Sequence, residues 1–362
     1  MAYPILTGAV LVEANGAALN NAGQDEGARV DNAIVVKQIR IGRMRYPYIS
    51  GQAWRRWWRE VLYSDFGWKP SEITRESKSA YTKGDPIEHE EDDLFGYMVA
   101  RKRGQKRKSG EEEGEPADSA GASGTYRRIS PLKNSLLISV LPNTIANDFG
   151  HFSRNLPPGT DIIPFESEHY TTYLQGVFTL SLREVGYFEL GEMRDLSEEI
   201  LRGQREKLET SDSRVFRLPR DTRVKRVQDV LRALAQLRGG ARLARNLSDV
   251  SPIVVLVGFL DGGNAPFQRL FEPDENNERV KLNLERLRSV LGDYQSRLLT
   301  PSNGKALYFG YRPTVLANEE EVLRAFRDEE LFRTCVEVVG TPQQALERAA
   351  DSVRAVFVQH VP

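Results

Sequence analysis

The run Arg43-Met-Arg-Tyr-Pro-Tyr-Ile-Ser-Gly-Gln-Ala-Trp-Arg-Arg-Trp-Trp-Arg59 gathers guanidinium groups around what reads as the start of a helix. Ser50 suits an N-cap. Gly51 leaves space for another chain to approach the unpaired amides of the first turn. Gln52 with Arg56, and Arg55 with Arg59, fall at i,i+4 and share a face that meets no carboxylate until Glu60. Arg43 and Arg45 approach the same end from the preceding segment. The chemistry such a group can do is anion binding, above all phosphate, because free amides, the helix dipole and fixed cations all favour it. Trp54, Trp57, Trp58, Val61 and Leu62 fall at i, i+3, i+4, i+7 and i+8. That stripe reads as core, not as a base-stacking surface.

A second group runs through Arg214, Arg217, Arg220, Arg223, Lys225 and Arg226 and resumes in Gly239-Gly-Ala-Arg-Leu-Ala-Arg245. Paired glycines followed by Arg242 and Arg245 permit close contact between backbone and a phosphate chain. The same residues also suit a helix C-cap with cations complementing the dipole, and both readings stand.

Signs of catalysis are sparse. There is no GxxxxGK[ST], no GxGxxG after a strand, no HExxH and no GxSxG. Asp25 and Asp31 offer carboxylates for a divalent metal, and His151 with His169 an acid and a base for RNA cleavage; isolated loop residues more often serve as caps or solvated groups. Cys335, the single cysteine, lies in an apolar stretch and reads as a buried thiol. With four scattered histidines and no second cysteine, no resident metal or cofactor is expected. One cysteine also points to a reducing cytoplasm. The apolar run Ile253–Leu260 is far short of a membrane span.

The net charge of −1 conceals segregation. Cations cluster at 37–59 and 214–245, while acids cluster at 85–93, 111–118, 272–278 and 319–321. A local positive field on a neutral body attracts a polyanion. With 40% hydrophobic residues the chain supports a core.

The elements that must carry these groups follow from periodicity. Pro4–Val12 and Ala33–Ile41 read as strands, and Ser50 opens the tryptophan helix. The segment from 66 to about 130 reads as irregular, with a low-complexity, mobile stretch at 101–124. Leu136–Leu141 and Tyr170–Arg183 read as strands, and Asp221 caps a helix to about Arg238. Ser251–Leu260 is a buried strand, and helices fall near 280–299, 319–332 and 342–357. Without insertions the order is strand, helix, strands, helix, strand: an α+β, ferredoxin-like plan of the kind used by RNA-recognition modules.

Five segments occur in the order found in a known family: YPYISGQAWRRWWREVL at 46–62, DLFGYM at 93–98, YTTYLQGVFTLSL at 170–182, Gly239-Gly-Ala-Arg242, and Leu247-Ser-Asp-Val-Ser-Pro252. Together they resemble the CRISPR-associated DevR-type backbone subunit of type I-B Cascade, a branch of the RAMP superfamily, to about Tyr311. The resemblance implies an RNA-recognition-like palm at 1–64, 170–185 and 221–362, the last including the C-terminal helices. It places a helical fingers insertion at 65–169 and a thumb at 186–220. It implies copies stacked along a CRISPR RNA beside other Cascade subunits, with target DNA recognised by guide pairing and no membrane or cofactor. Arg43, Arg45, Ser50, Gly51, Gln52, Arg55, Arg56, Arg59, Arg214, Arg217, Arg220, Arg223, Arg226, Gly239, Gly240, Arg242 and Arg245 are the expected RNA contacts. The family is not catalytic in type I systems. A related branch cuts guide-paired RNA with an acid in the loop after the first strand, where Asp25 and Asp31 lie.

Overall fold

The computed structural model describes residues 3–24, 33–76, 79–100 and 125–361. Asp25, Asp31 and the segment 101–124 lie outside them. The chain divides into two units, one of 1–66, 134–182 and 227–362, the other of 67–133 and 183–226.

The first unit is built on a sheet whose main path holds β1 (Pro4–Ala17), β2 (Gln38–Ile41), β3 (Met44–Ile49), β4 (Leu137–Ser139), β5 (Ile163–Ser181), β6 (Pro252–Asp261), β7 (Leu307–Tyr311) and β8 (Val336–Gly340). Their spatial order is β8-β7-β6-β1-β5-β4-β3-β2. Helix α1 (Gly51–Phe66) lies between β3 and β4 in sequence, and α2 (Arg220–Ala235) between β5 and β6. The central four strands, β6-β1-β5-β4, are antiparallel throughout. Numbered by their order in the chain they run 4-1-3-2 with two intervening helices, which is the ferredoxin-like arrangement. The expected α+β class and RNA-recognition-like palm are therefore present, widened by strands at both sides.

The apolar runs explain the centre. The first nine residues of β6 are buried, as are Pro4–Val12 of β1, so both faces of these strands are covered. On one face the tryptophan stripe seats α1: Trp58 lies edge-on to Phe178 at 5.6 Å and donates its indole N–H to Val230 O of α2 at 2.9 Å. Trp54 stacks on Trp58 at 5.6 Å and donates to Ser135 O at 2.8 Å. The indoles fill the core and also satisfy backbone carbonyls between elements. On the opposite face, Ala9, Leu11, Val177 and Leu256 pack with Phe267, Leu287 and Phe309. Helix α3 (Pro342–His360) opens with Thr341 and Gln344 in a reciprocal capping box behind Pro342.

The second unit is made of hairpins and short helices. Ile73–Glu76 pairs with Ser79–Thr82, Tyr97–Ala100 with Thr125–Arg128, and Val215–Arg217 lies between Tyr187–Glu189 and Glu209–Asp212. One apolar cluster of this unit joins Ile87, Phe188, Leu196, Phe216 and Leu218. A buried ionic cluster supplements it. Asp93, fully buried in the helix Glu90–Phe95, accepts from Arg226 Nη1 at 2.6 Å, from the Gly186 amide at 3.0 Å and from Arg128 Nη2. Arg128 also reaches Asp195 at 3.1 Å and donates to Glu184 O at 2.7 Å. Burial works against its charge, but Asp93 and Asp195 outweigh that and hold its pKa above the ordinary value.

Several element limits differ from the sequence reading. The strand expected at Ala33–Ile41 is two short pieces, Ala33–Val36 and Gln38–Ile41. The strand expected from Tyr170 begins at Ile163, and its extra length pairs with Ile145–Phe152 in a hairpin. The helix expected to reach Arg238 ends at Ala235, and the 319–332 helix is two, Glu319–Asp328 and Glu330–Cys335. Cys335 is buried, as its setting suggested.

Candidate nucleic-acid interface

Helix α1 begins as its sequence indicates. Ser50 Oγ accepts from the Ala53 amide at 3.3 Å, and the Ser50 amide donates to Asn20 Oδ1 at 2.9 Å. Gly51 is explained internally. A Cβ there would meet Asn134 Nδ2 at 3.3 Å and Ser135 O at 3.4 Å, so the close neighbours are this chain's own Asn134 side chain and Ser135 carbonyl. Gln52 and Arg56 are exposed, and Arg56 pairs with Glu60 at 2.8 Å. Arg55 donates to Asn134 Oδ1 at 3.0 Å. Burial, with Arg59's charge adding to it, pulls the Arg55 pKa down to about 10. Arg43 and Arg45 are exposed on and beside β3. The Arg45 backbone is pinned by Asn143, which accepts from its amide at 2.9 Å and donates to its carbonyl at 2.7 Å.

The Gly239–Gly240 turn has the left-handed backbone that glycine favours, with φ of 150° and 126°. A Cβ at Gly239 would lie 2.3 Å from the Trp57 indole, and one at Gly240 2.4 Å from Leu19 Cδ2. The glycines thus let the turn press onto α1 and onto the segment after β1. Arg242 follows, itself left-handed at φ 57°. Partial burial lowers the Arg242 pKa, and the neighbouring Arg245 lowers it further. Arg245 lies over the Phe165 ring at 5.8 Å.

Leu19–Asn20 joins the two groups. Leu19 O accepts from the Ala241 amide at 3.0 Å, Asn20 Oδ1 from Ser50, and Asn20 O from the Lys37 amide at 2.9 Å. The start of α1, Lys37 between its two short strands and the Gly-Gly-Ala-Arg turn are therefore hydrogen-bonded to two consecutive residues. In two arginine pairs, Arg55 with Arg59 and Arg242 with Arg245, burial lowers the pKa of the first member and the charge of the second adds to it. Neighbouring like charges of this kind favour an anion between or beside them.

The remaining expected contacts divide. Arg214 and Arg220 are exposed and Arg217 half-buried, all within the second unit. Arg223 and Arg226 are each 4% exposed and do not belong to an open surface. Arg223 donates to Val185 O at 2.7 Å and Arg183 O at 3.1 Å, and burial lowers its pKa to about 10. Arg226 is committed to Asp93, Pro86 O and Ile87 O. Both are corrected from RNA contacts to structural cations, since moving either guanidinium outward would strand buried acceptors. His151 and His169 are not brought together. In the hairpin His151 opposes Pro164 and His169 opposes Ala146. The two lie on opposite faces, about 17 Å apart along the ladder. Among the described residues no group of three or more His, Cys, Asp or Glu side chains is placed to hold a metal ion.

Sequence reasoning passed over that hairpin, Ile145–Phe152 with the first half of β5. Phe152 opposite Ile163, and Gly150 opposite Phe165, share one face. Phe149 and Phe152 are 66% and 53% exposed. Gly150 makes room for the Phe165 ring, which a Cβ would meet at 2.5 Å. The alternation was visible in residues 163–169, but Asp148 and Asn147 broke it in the partner strand.

The fold is that of an α+β protein with a ferredoxin-like palm, and exposed cations lie on and beside its first helix. The profile of the CRISPR-associated negative auto-regulator DevR/Csa2 family matches residues 8–283, and the chain belongs to that family. No curated protein sequence matches it. Among solved structures, a chain of a "CRISPR RNA-guided surveillance complex, pre-nicking" is similar at 10% identity, covering 96% of this chain and 100% of that one with a TM-score of 0.51. Another, of a "CRISPR RNA-guided surveillance complex", has 10% identity, covers 97% and 99%, and has a TM-score of 0.48. The first of these likenesses shows a shared fold. No helix among the described residues is long and apolar enough to cross a membrane.

Proposed function

We propose that this protein is the guide-binding backbone subunit of a type I-B Cascade-like surveillance complex, acting in the cytoplasm without catalytic activity of its own. Copies assemble along a CRISPR RNA beside other subunits, and target DNA is recognised by pairing to the guide. The observation that carries the reading is the junction at Leu19–Asn20, where hydrogen bonds unite the α1 start with the Gly239–Gly240 turn. A guide kept ready for pairing is held by its phosphates, leaving base edges outward, and guanidinium groups with free amides do that without reading sequence. Arg43, Arg45, Arg56, Arg242 and Arg245 are the contacts favoured. The exposed apolar hairpin supplies a surface for stacking on a neighbouring copy, and the near-zero net charge suits such stacking.

The test is whether the purified protein carries RNA of uniform length, and whether its affinity for single-stranded RNA falls with salt at about −0.7 log units per phosphate held. Affinity independent of salt refutes the grip. Regularly spaced Mg²⁺-dependent cuts in complementary RNA, abolished by Asp31→Ala, would instead establish an endoribonuclease.

A further inference from the structure

On the sheet face opposite the tryptophan helix, β4 meets β5 for only two residue pairs, Ile138 with Gln175 and Ser139 with Leu174. Beside this short ladder lies a cavity of about 380 Å³, floored by Ala9, Ile138 and Val177 and flanked by Tyr46 and Phe271. Its size falls at the low end of the roughly 300–1,000 Å³ found for small-ligand sites. The polar atoms on its floor are already used. Ser139 Oγ bonds Leu141 O and Thr172 Oγ1 at 2.6 Å each, and both ends of the Gln175 amide bond the Phe271 backbone. The floor thus mixes apolar side chains with polar ones already engaged, leaving no free donor pattern of Ser139 or Gln175 to read a base edge.

The rim carries Arg269 and Arg286, both exposed. Neither guanidinium has an acidic partner among the described residues. Glu272, the carboxylate beside them, is engaged by Asn283 Nδ2 and by Lys281 at 3.5 Å. Arg269 holds a left-handed backbone, φ 54°, which a residue with a Cβ adopts only at a cost.

We propose that this cavity takes one nucleotide unit, its base against the apolar floor beside Tyr46 and its phosphate on Arg269 and Arg286. The source is a single strand if the guide-binding reading holds, on which this assignment rests, and a free mononucleotide otherwise. Stacking without edge recognition makes the site tolerant of base identity.

The full-length protein is irradiated with single-stranded RNA carrying 4-thiouridine, crosslinked peptides are identified by mass spectrometry, and AMP is titrated separately by calorimetry. Crosslinks at Tyr46 or within 267–271 support the site. Arg269→Ala and Arg286→Ala should each weaken them about ten-fold or more, the worth of a charge-assisted hydrogen bond, and the double variant further. Ile138→Trp, which fills the cavity, should abolish them while salt-dependent RNA binding persists. The two arginine variants lie on the surface and keep the test open if Ile138→Trp fails to fold. AMP binding lost in the same variants identifies a free nucleotide as an occupant. Crosslinks confined to 19–20, 50–59 and 239–245, with no AMP binding, overturn the proposal and leave the guide-binding reading intact. If the protein binds no RNA, that reading fails, and the AMP titration alone decides the cavity.

Discussion

Arg226→Ala separates cations that hold the fold from cations that hold a ligand. The substitution removes the 2.6 Å pair with Asp93 and the donors to Pro86 O and Ile87 O at 2.8 and 2.9 Å. Asp93 keeps Arg128 and the Gly186 amide, so its carboxylate is not stranded, but two carbonyls lose their donor and a cavity opens. Breaking one arm of a buried ion pair costs about 3–5 kcal/mol, part of it the penalty of polar groups left unpaired. Arg226 and Asp93 are both buried in the second unit, so the loss falls on that unit. Hydrogen exchange resolved by peptide is the right assay, because a two-unit chain need not unfold in one step. Amides in 67–100, 125–133 and 183–226 should exchange faster by two orders of magnitude or more, about 1.4 kcal/mol per decade, while those of β1, β5 and β6 hold. RNA affinity, measured where the variant is folded, should stay within about two-fold. Unchanged protection combined with weakened RNA binding would refute the assignment of Arg226 to the interior.

Three further outcomes follow from the same geometry. Arg242→Ala with Arg245→Ala should weaken all single-stranded RNA sequences alike and reduce the salt slope by about 0.7 for each phosphate no longer held, read by anisotropy across a salt series; a change in sequence preference would argue against phosphate gripping. Gly239→Ala places a Cβ 2.3 Å from the Trp57 indole at a φ of 150°, and strain plus overpacking should cost about 2–5 kcal/mol in a thermal melt; a silent variant would mean that the turn does not press on α1. Burial raises the Asp92 carboxyl above its ordinary 3.8, despite hydrogen bonds from Ser71 Oγ and the Asp85 amide. A raised carboxyl pKa favours the protonated folded state, so its stabilisation is full below pH 3.8 and fades as pH rises through the raised value. Asp92→Asn should flatten that decline in pH-dependent unfolding, and an unaltered profile would remove Asp92 as its source.

Much of the palm was legible because its residues satisfy local and global demands together. Trp54, Trp57, Trp58, Val61 and Leu62 are all buried, at the spacing that announced them. Ser50 caps as expected, and the unbroken apolar runs of β1 and β6 lie at the centre of the sheet. The second unit was not legible. Its order rests on Asp93, Arg128, Arg226 and Asp195, whose types look solvent-facing in sequence and whose partners are 35 to 133 residues distant where Asp93 is concerned. No local periodicity records such pairings, and the same polarity made 66–130 read as irregular.

The candidate site shows the same division more sharply. A block of ten cations between Arg214 and Arg245 suggested one continuous field. In the fold, Arg223 and Arg226 turn inward, Arg232 pairs with Glu347 at 2.7 Å and Arg238 with Asp65 at 2.6 Å. Neutralisation by acids more than a hundred residues away in sequence is invisible to a charge count along the chain. Arg214 and Arg220 stay exposed, and after Gly239, where φ > 0 and the contact with Trp57 fix the turn, Arg242 and Arg245 lie beside one another. The glycines, which sequence reasoning valued for approach to a phosphate chain, act first on the protein itself, and only through that packing do they set the arginines beside α1. If the proposed phosphate grip holds, Leu19, Trp57 and the two glycines should matter to it as much as the guanidinium groups, because cations act together only where the backbone holds them together.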